Sequence, residues 1–178
     1  MTSWCKYVVC FFMLTISKQL SAQNIYIDKA KVSFTSNAPL EIIKASSEQM
    51  KIIIDPTGNQ VALAVNLSSF KGFNSELQRE HFNEKYMESD KFPTAAFKGK
   101  IIEKIDFTVD GTYDVRVKGE LDIHGQKQSR IIKAKIVIRN KSVNITTDFS
   151  VPLADHNIAI PKIISEKIAT EIDFQLCT

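Results

Sequence analysis

The sequence predicts an all-β fold, an eight-stranded antiparallel barrel with one helix. Two observations carry this prediction. Residues 112–123 alternate between apolar and polar side chains with period two, and similar segments recur along most of the 178 residues. One stretch alone, about 75–87, changes to helical spacing. Because successive side chains of a strand point to opposite faces, each segment has one polar face in contact with solvent and one apolar face, here called the dry face. The dry faces must enclose a core or a ligand.

The strands are predicted from their apolar phase. A strand near 25–34 contains a phase slip at Asp28-Lys29, which is typical of a β-bulge. Residues 49–67 predict a hairpin around a turn at 55–59, which is rich in turn-forming residues. Five further strands are expected at 95–107, 112–123, 132–138, 143–151 and 168–176.

The helix is predicted between strands 3 and 4. Ser75 and Gln78 form a capping-box pattern at its start, and Leu77, Phe82 and Tyr86 form the expected apolar side. Pro93 prevents the helix from continuing into the fourth strand.

Strands at regular spacing favour a sandwich or a barrel. An even number of strands joined mostly by short turns favours a closed, lipocalin-like barrel, because closure removes exposed edges. The helix would then cap or flank one end, and an antiparallel sandwich is the alternative. Eight strands leave an interior that side chains alone can fill, or that can hold one small ligand.

The first 22 residues have the layout of a secretory signal peptide. Lys6 precedes an apolar run at 7–16, and a short polar stretch ends at Ala22. The run is shorter than the roughly 20 residues that a bilayer-spanning helix needs, which makes an uncleaved anchor the weaker alternative. We therefore expect cleavage near Ala22, one domain over 23–178, and a periplasmic or secreted protein.

Charge and cysteine content limit the partners of this domain. Loss of Lys6 and Lys18 would lower the 23 basic residues to 21 against 20 acidic ones, so the net charge falls from +3 to +1. This balance argues against a nucleic-acid partner. Only Cys177 would remain, so the domain depends on its core rather than on an internal disulfide.

No familiar catalytic motif is present, and neither a metal nor a cofactor is predicted. His81 is expected to seat the helix on the barrel through a hydrogen bond, and His124, in a turn, is expected to be structural or solvent-exposed. His156 follows Asp155, but no Ser or Cys can be assigned to complete a catalytic triad with them. The densest basic group lies between Lys127 and Lys141. It is either an ordinary barrel exterior or a patch that meets anionic lipid headgroups.

The large apolar residues on the dry faces are the best functional candidates. A packed core and a pocket for a long apolar ligand would use the same side chains, so both interpretations stay open. Gly119 is expected to thin the wall where a ligand could pass. The candidate lining residues are Phe34, Val65, Phe70, Phe73, Phe82, Tyr86, Phe97, Tyr113, Val115, Val117, Leu121 and Phe149.

Residues 70–97 resemble the central block of the YceI-like proteins. The matching positions are Arg79, Glu80, His81, Phe82, Phe92, Pro93 and Phe97. Residues 119–125 and 155–158 are similar to the second and third blocks of that family, while 126–129 depart from it. The resemblance implies an exported lipocalin-like barrel, some of whose relatives hold a polyisoprenoid chain inside.

Three functional hypotheses follow. The first is a non-enzymatic carrier or store for a polyisoprenoid, an isoprenoid quinone or another lipid, acting as a monomer or homodimer with transient membrane contact. The second is an enzyme that acts on such a lipid with His81 as acid or base. The third is a stress-related or partner-binding protein with a solid core, which requires that no continuous cavity exists.

Overall fold

The predicted barrel is confirmed by a computed structural model, which describes residues 23–178. Within these residues eight antiparallel strands close into a barrel in chain order, and the last strand pairs with the first. The sandwich alternative is therefore wrong. The predicted signal peptide lies outside the described residues. The strands are β1 Ile25–Asn37, β2 Ile42–Asp55, β3 Gln60–Asn66, β4 Thr94–Ile101, β5 Gly111–Ile123, β6 Gln126–Arg139, β7 Ser142–Pro152 and β8 Glu171–Cys177.

The two ends of the barrel differ in what covers them. One end, here called the plugged end, carries the turn at 56–59, the loop at 102–110 and the turn at 140–141. Ile105 and Phe107 from that loop pack against the core. The opposite end, here called the mouth end, carries the β1–β2 turn, the connection at 67–93, the β5–β6 turn at 124–125 and the connection at 153–170.

Several strand boundaries differ from the predicted ones, most of all those of β2, β4 and β6. β1 contains the expected irregularity, with register shifts on both sides of Ala30. β2 begins at Ile42, earlier than predicted. The apolar pattern does not reveal this start because a polar residue, Ser47, occupies an inward position, where its hydroxyl shares a hydrogen bond of 2.6 Å with the Ser69 hydroxyl. β4 ends at Ile101 rather than near Phe107, since the chain leaves the barrel there to form the plug.

The predicted helical segment is confirmed, but it is α-helical only as far as His81. Ser75 caps α1 (Glu76–His81), its hydroxyl accepting a hydrogen bond from the Gln78 amide at 3.2 Å, and a π-helical turn covers Phe82–Tyr86. Leu77 was expected on the buried side, and this is wrong because its side chain is 58% exposed. At about 100° per residue, five residues place Leu77 roughly 140° around the helix from Phe82, so the two cannot share a face.

Gly119 does not thin the barrel wall. It lies opposite Gly99 on β4, and a Cβ atom at Gly119 would lie 2.3 Å from the Lys98 carbonyl oxygen and 2.6 Å from Gly99 Cα. The glycine is therefore needed because β4 and β5 approach closely at this point. Such glycine pairs allow a sheet to curve into a barrel, and the earlier expectation of a passage for a ligand is wrong.

Candidate ligand cavity

An apolar cavity of about 320 Å³ occupies the barrel interior. This volume lies at the lower end of the range of ligand pockets, about 300–1,000 Å³. Its deepest lining residues include Ile54, Ile101 and Ile136, which are nearly inaccessible to solvent. At the mouth end, Gln78 and His81 from α1 and Ile164 and Lys167 from the 153–170 connection complete the wall. A solid core, which the third hypothesis requires, is not what the structure contains.

The structure brings ten of the twelve candidate residues together on this wall. They are Phe34, Val65, Phe70, Phe73, Phe82, Tyr86, Phe97, Val117, Leu121 and Phe149. Their contact with a ligand stays a prediction.

Tyr113 and Val115, the other two predicted lining residues, are not among the residues that surround this cavity. Val115 is buried and part of the packed core. The Tyr113 hydroxyl donates to the Val109 carbonyl at 3.3 Å. The cavity wall on β5 begins at Val117, although Ile136 and Ala134, the β6 partners of Tyr113 and Val115, do line the cavity. An inward position on a strand therefore does not by itself place a side chain on the cavity wall.

An aromatic cluster attaches the helical cover to the barrel. The Phe82 ring, from the π turn, stacks on Phe34 of β1 at 5.5 Å between centroids and lies 5.9 Å from Phe70 and 5.2 Å from Phe73. The Phe34 ring also lies 6.1 Å from Phe174 of β8. Contacts of this geometry contribute about 0.5–1.5 kcal/mol each beyond area burial. The same rings form the cavity wall, so the cover and the binding surface are one structure.

Hydrogen bonds fix the start of α1 against β2. The Gln78 side-chain amide donates to the Glu41 carboxylate, and the Asn74 amide donates to the Ile42 carbonyl at 3.0 Å. Tyr86, one turn beyond α1, is half-buried, and desolvation raises the pKa of its hydroxyl. Burial on the cavity wall therefore favours the neutral form of Tyr86.

A second set of polar contacts fixes the far end of the helical segment. His124 Nε2 lies 3.0 Å from a Glu88 carboxylate oxygen, and His124 Nδ1 lies 3.2 Å from the His156 carbonyl oxygen. Hydrogen bonds from Lys91 and then from His124 lower the pKa of Glu88. The Phe92 ring packs edge-on against His124 at 4.8 Å. His124 thus has the structural role that the sequence predicted.

His156 is the buried polar residue that sequence reasoning did not assign to the cavity. Its side chain is 0% exposed and lies on the cavity wall beside Ile158. Nδ1 lies 3.0 Å from the Gln126 carbonyl oxygen and 3.3 Å from that of Ile123, so it carries the proton and donates. Nε2 has no hydrogen-bond partner among residues 23–178. The only signal in the sequence was the match at 155–158 to the third block.

Asp155 does not act with His156. Its carboxylate accepts a hydrogen bond of 2.7 Å from Arg130, and its carbonyl accepts one of 2.7 Å from Gln128. The polar residues at 126–129, which depart from the family pattern, therefore pack the β5–β6 turn against the 153–170 connection.

His81 is half-buried at the mouth and meets the geometric condition of the second hypothesis, since it lines the cavity. Within residues 23–178 no group of three or more His, Cys, Asp or Glu side chains is arranged to hold a metal ion. Over the same range, none of the helices has the length and apolar character needed to cross a bilayer.

A closed eight-stranded barrel around an apolar cavity belongs to the class of β-barrels that can hold one small ligand. The model of the YceI-like domain matches residues 19–176, and the chain therefore belongs to the YceI-like family.

Solved structures share this fold at low sequence identity. A polyisoprenoid-binding domain from Saccharophagus degradans, implicated in plant cell wall breakdown, has a TM-score of 0.72 at 13% identity, covering 87% of this chain and 97% of its own. BcnA from Burkholderia cenocepacia has a TM-score of 0.68 at 13% identity, with 83% and 94% covered. The YceI protein of Campylobacter jejuni has a TM-score of 0.56 at 15% identity, with 98% and 96% covered. Among curated proteins, no significant sequence match exists.

Proposed function

We propose that this protein is a non-enzymatic carrier or store for a long apolar molecule of the polyisoprenoid, isoprenoid-quinone or lipid type, held inside the barrel. The observation that carries the proposal is the apolar cavity, which runs from near the plugged end to a few polar lining residues at the mouth end. The family membership and the polyisoprenoid-binding relative from Saccharophagus degradans support the same ligand class.

The shape and chemistry of the cavity favour a ligand with an apolar tail and a small polar end. From Val117 to Ile123 the lined part of β5 spans roughly 20 Å along the strand. Each 100 Å² of apolar ligand surface placed there contributes about 2.5 kcal/mol before binding costs. Glu41, Gln78, His81 and Lys167 stand at the mouth, where a polar end would remain close to water.

We propose further that the chain is exported and processed near Ala22. Lys6, the apolar run at 7–16 and the small residues before the cleavage position support this proposal. Sequencing the N-terminus of the protein isolated from a periplasmic or secreted fraction tests it, and a mature protein that begins at Met1 contradicts it.

Solvent extraction of the purified protein tests the carrier function. Extraction followed by mass spectrometry should release a long apolar molecule from wild-type protein. Ala134→Trp, at a cavity-lining position of β6, should reduce the amount released because the indole ring occupies the cavity. Ala64→Trp is the matched control, since Ala64 lies in β3 between the inward residues Leu63 and Val65 and faces outward. A clean extract from both wild type and control contradicts the proposal.

The second candidate, an enzyme using His81, is favoured by one observation: His81 lies on the cavity wall at the mouth. An enzyme would change the extracted molecule over time, and His81→Gln would abolish that change. A carrier would release the same molecule from both proteins, and the carrier is the function that we propose.

A further inference from the structure

We propose that the mouth end is a membrane-docking surface, which fits a phospholipid bilayer containing anionic headgroups. This inference rests on the proposed carrier function for its purpose but on a separate set of residues for its evidence. Four large apolar side chains project into solvent around the opening of the cavity. They are Leu40 (66% exposed), Ile42 (53%), Leu77 (58%) and Ile163 (92%), and they are here called the apolar rim.

Backbone and side-chain hydrogen bonds hold the apolar rim together as one surface. The Leu40 amide donates to the Glu166 carbonyl at 2.9 Å, which joins the β1–β2 turn to the segment that carries Ile163. The Asn74 side chain donates to the Ile42 carbonyl at 3.0 Å, which joins β2 to the start of α1 and Leu77. The rim is thus built from three adjoining segments with defined positions.

The opening of the cavity lies within this surface. Ile164 lines the cavity while the neighbouring Ile163 faces solvent, and Gln78 lines it while Leu77 faces solvent. Adjacent residues therefore belong alternately to the inner wall and to the outer rim. If the rim enters the headgroup region of a bilayer, a lipid tail passes from membrane to cavity without crossing water, which would cost about 0.8 kcal/mol per methylene group.

Charge around the rim complements an anionic membrane. Lys44, Lys71, Lys162 and Lys167 are exposed near the rim, and none of them is in an ion pair within residues 23–178. By contrast, Arg79 pairs with Glu76 at 2.8 Å, while Glu41 keeps its negative charge, since the Gln78 amide that donates to it is neutral. Glu166 is the acidic residue of the Lys162–Lys167 segment. Lysines just outside an apolar insertion can reach lipid phosphates with their flexible side chains.

This surface replaces the basic group on β6 as the candidate for lipid contact. Arg130 of that group is held by Asp155 at 2.7 Å, and Lys133 and Lys135 lie on the outer face of the barrel further along β6, so of its lysines only Lys127 is next to the mouth end. Of the other exposed apolar residues, Tyr26, Ile102 and Val109 lie at the plugged end, while Ile53 and Ile131 lie on strands β2 and β6. The three at the plugged end offer a matched control of similar exposure.

Vesicle flotation tests the proposal. The wild-type protein is mixed with vesicles of phosphatidylcholine and phosphatidylglycerol, or of phosphatidylcholine alone, and compared with two triple variants. Leu40→Ser/Leu77→Ser/Ile163→Ser removes three members of the apolar rim, and Tyr26→Ser/Ile102→Ser/Val109→Ser changes the plugged end. We expect wild type and the plugged-end variant to float with the anionic vesicles, and we expect the affinity of the rim variant for them to be at least roughly tenfold lower.

Lysine variants test the electrostatic part. Lys162→Gln/Lys167→Gln should weaken binding to anionic vesicles by about fivefold per lysine and should leave the weaker binding to phosphatidylcholine unchanged. Circular dichroism confirms that all variants are folded, which is expected because the changed side chains are exposed. The proposal is overturned if the rim variant binds like wild type, if the plugged-end variant loses as much binding, or if wild type binds neither kind of vesicle.

Solvent extraction of the same three proteins separates this inference from the carrier function. A retained lipid without vesicle binding would reject the docking surface alone. Vesicle binding through the rim with a clean extract would reject the carrier function alone.

Discussion

The Gly119–Gly99 pair allows a sharp test of how the barrel closes. Gly119→Ala adds one Cβ atom that would lie 2.3 Å from the Lys98 carbonyl oxygen and 2.6 Å from Gly99 Cα. Both are backbone atoms of the neighbouring strand, so no side chain can rotate away. Real Cβ contacts essentially never fall under 3.0 Å, and β4 and β5 must therefore separate where they exchange ladder hydrogen bonds.

The expected cost follows from overpacking. Forcing an additional carbon into a close-packed region costs typically about 1–3 kcal/mol. Alanine also restricts the unfolded chain, which offsets about 0.4–1 kcal/mol of that cost. We expect a net loss of about 1–2 kcal/mol in the free energy of unfolding. For a domain of this size, each kcal/mol lowers Tm by about 2–4 °C, so the expected decrease is about 2–8 °C.

Urea unfolding followed by far-ultraviolet circular dichroism measures this loss, with Gly58→Ala as the control. At Gly58 the nearest atom to an added Cβ is Asp55 Oδ2 at 2.6 Å, the end of a side chain that can move. The control should stay within about 0.5 kcal/mol of wild type. Equal stability of the two variants would refute the reasoning. If Gly119→Ala instead left the free energy of unfolding unchanged and slowed ligand uptake, that result would support the expectation that a ligand passes through the wall at this position.

Three further predictions concern titratable and buried groups. Lys91 and His124 lower the pKa of Glu88 below its ordinary value of 4.5. Their contacts therefore stabilise the folded state above pH 4.5, and this stabilisation is lost as the pH falls through the lowered pKa. The urea midpoint should fall more in acid for wild type than for Glu88→Gln. His156→Phe leaves the Ile123 and Gln126 carbonyls without their donor and should lose about 1–3 kcal/mol in urea unfolding, whereas His81→Phe at the mouth should change stability by less than about 0.5 kcal/mol. Burial raises the pKa of Tyr86, so an absorbance titration of tyrosinate should lose its latest phase in Tyr86→Phe, and a titration curve identical to that of wild type contradicts the assignment.

Much of the fold could be predicted because strand phase is a local property. The alternation at 112–123 reappears as β5, and the slip at Asp28-Lys29 reappears as the register shifts of β1. The capping pattern at Ser75 fixes the start of α1. Six cavity-lining residues of the strands follow from the same phase, since an inward side chain of a closed barrel must face either core or cavity, whereas Phe70, Phe73, Phe82 and Tyr86 come from the 67–93 connection.

Other features depend on contacts between segments that are distant in the chain. Tyr113 and Val115 face inward but lie off the cavity wall, whereas their β6 partners Ile136 and Ala134 line it, and strand phase carries no information about this difference. His156 became a wall residue only because the 153–170 connection folds back against the β5–β6 turn. Leu77 and Ile163 became neighbours of the mouth only because α1 and that connection cross the same end of the barrel.

The sequence by itself determined the fold class, the phase of each strand and the apolar character of the interior, because these depend on the order of side chains within short segments. The tertiary structure alone decided that the interior holds a cavity rather than a filled core, and where it opens. That outcome depends on strand tilt, on the close approach at Gly119 and on how far the plug and the helical cover reach inward. These are distances between segments, which no local pattern encodes.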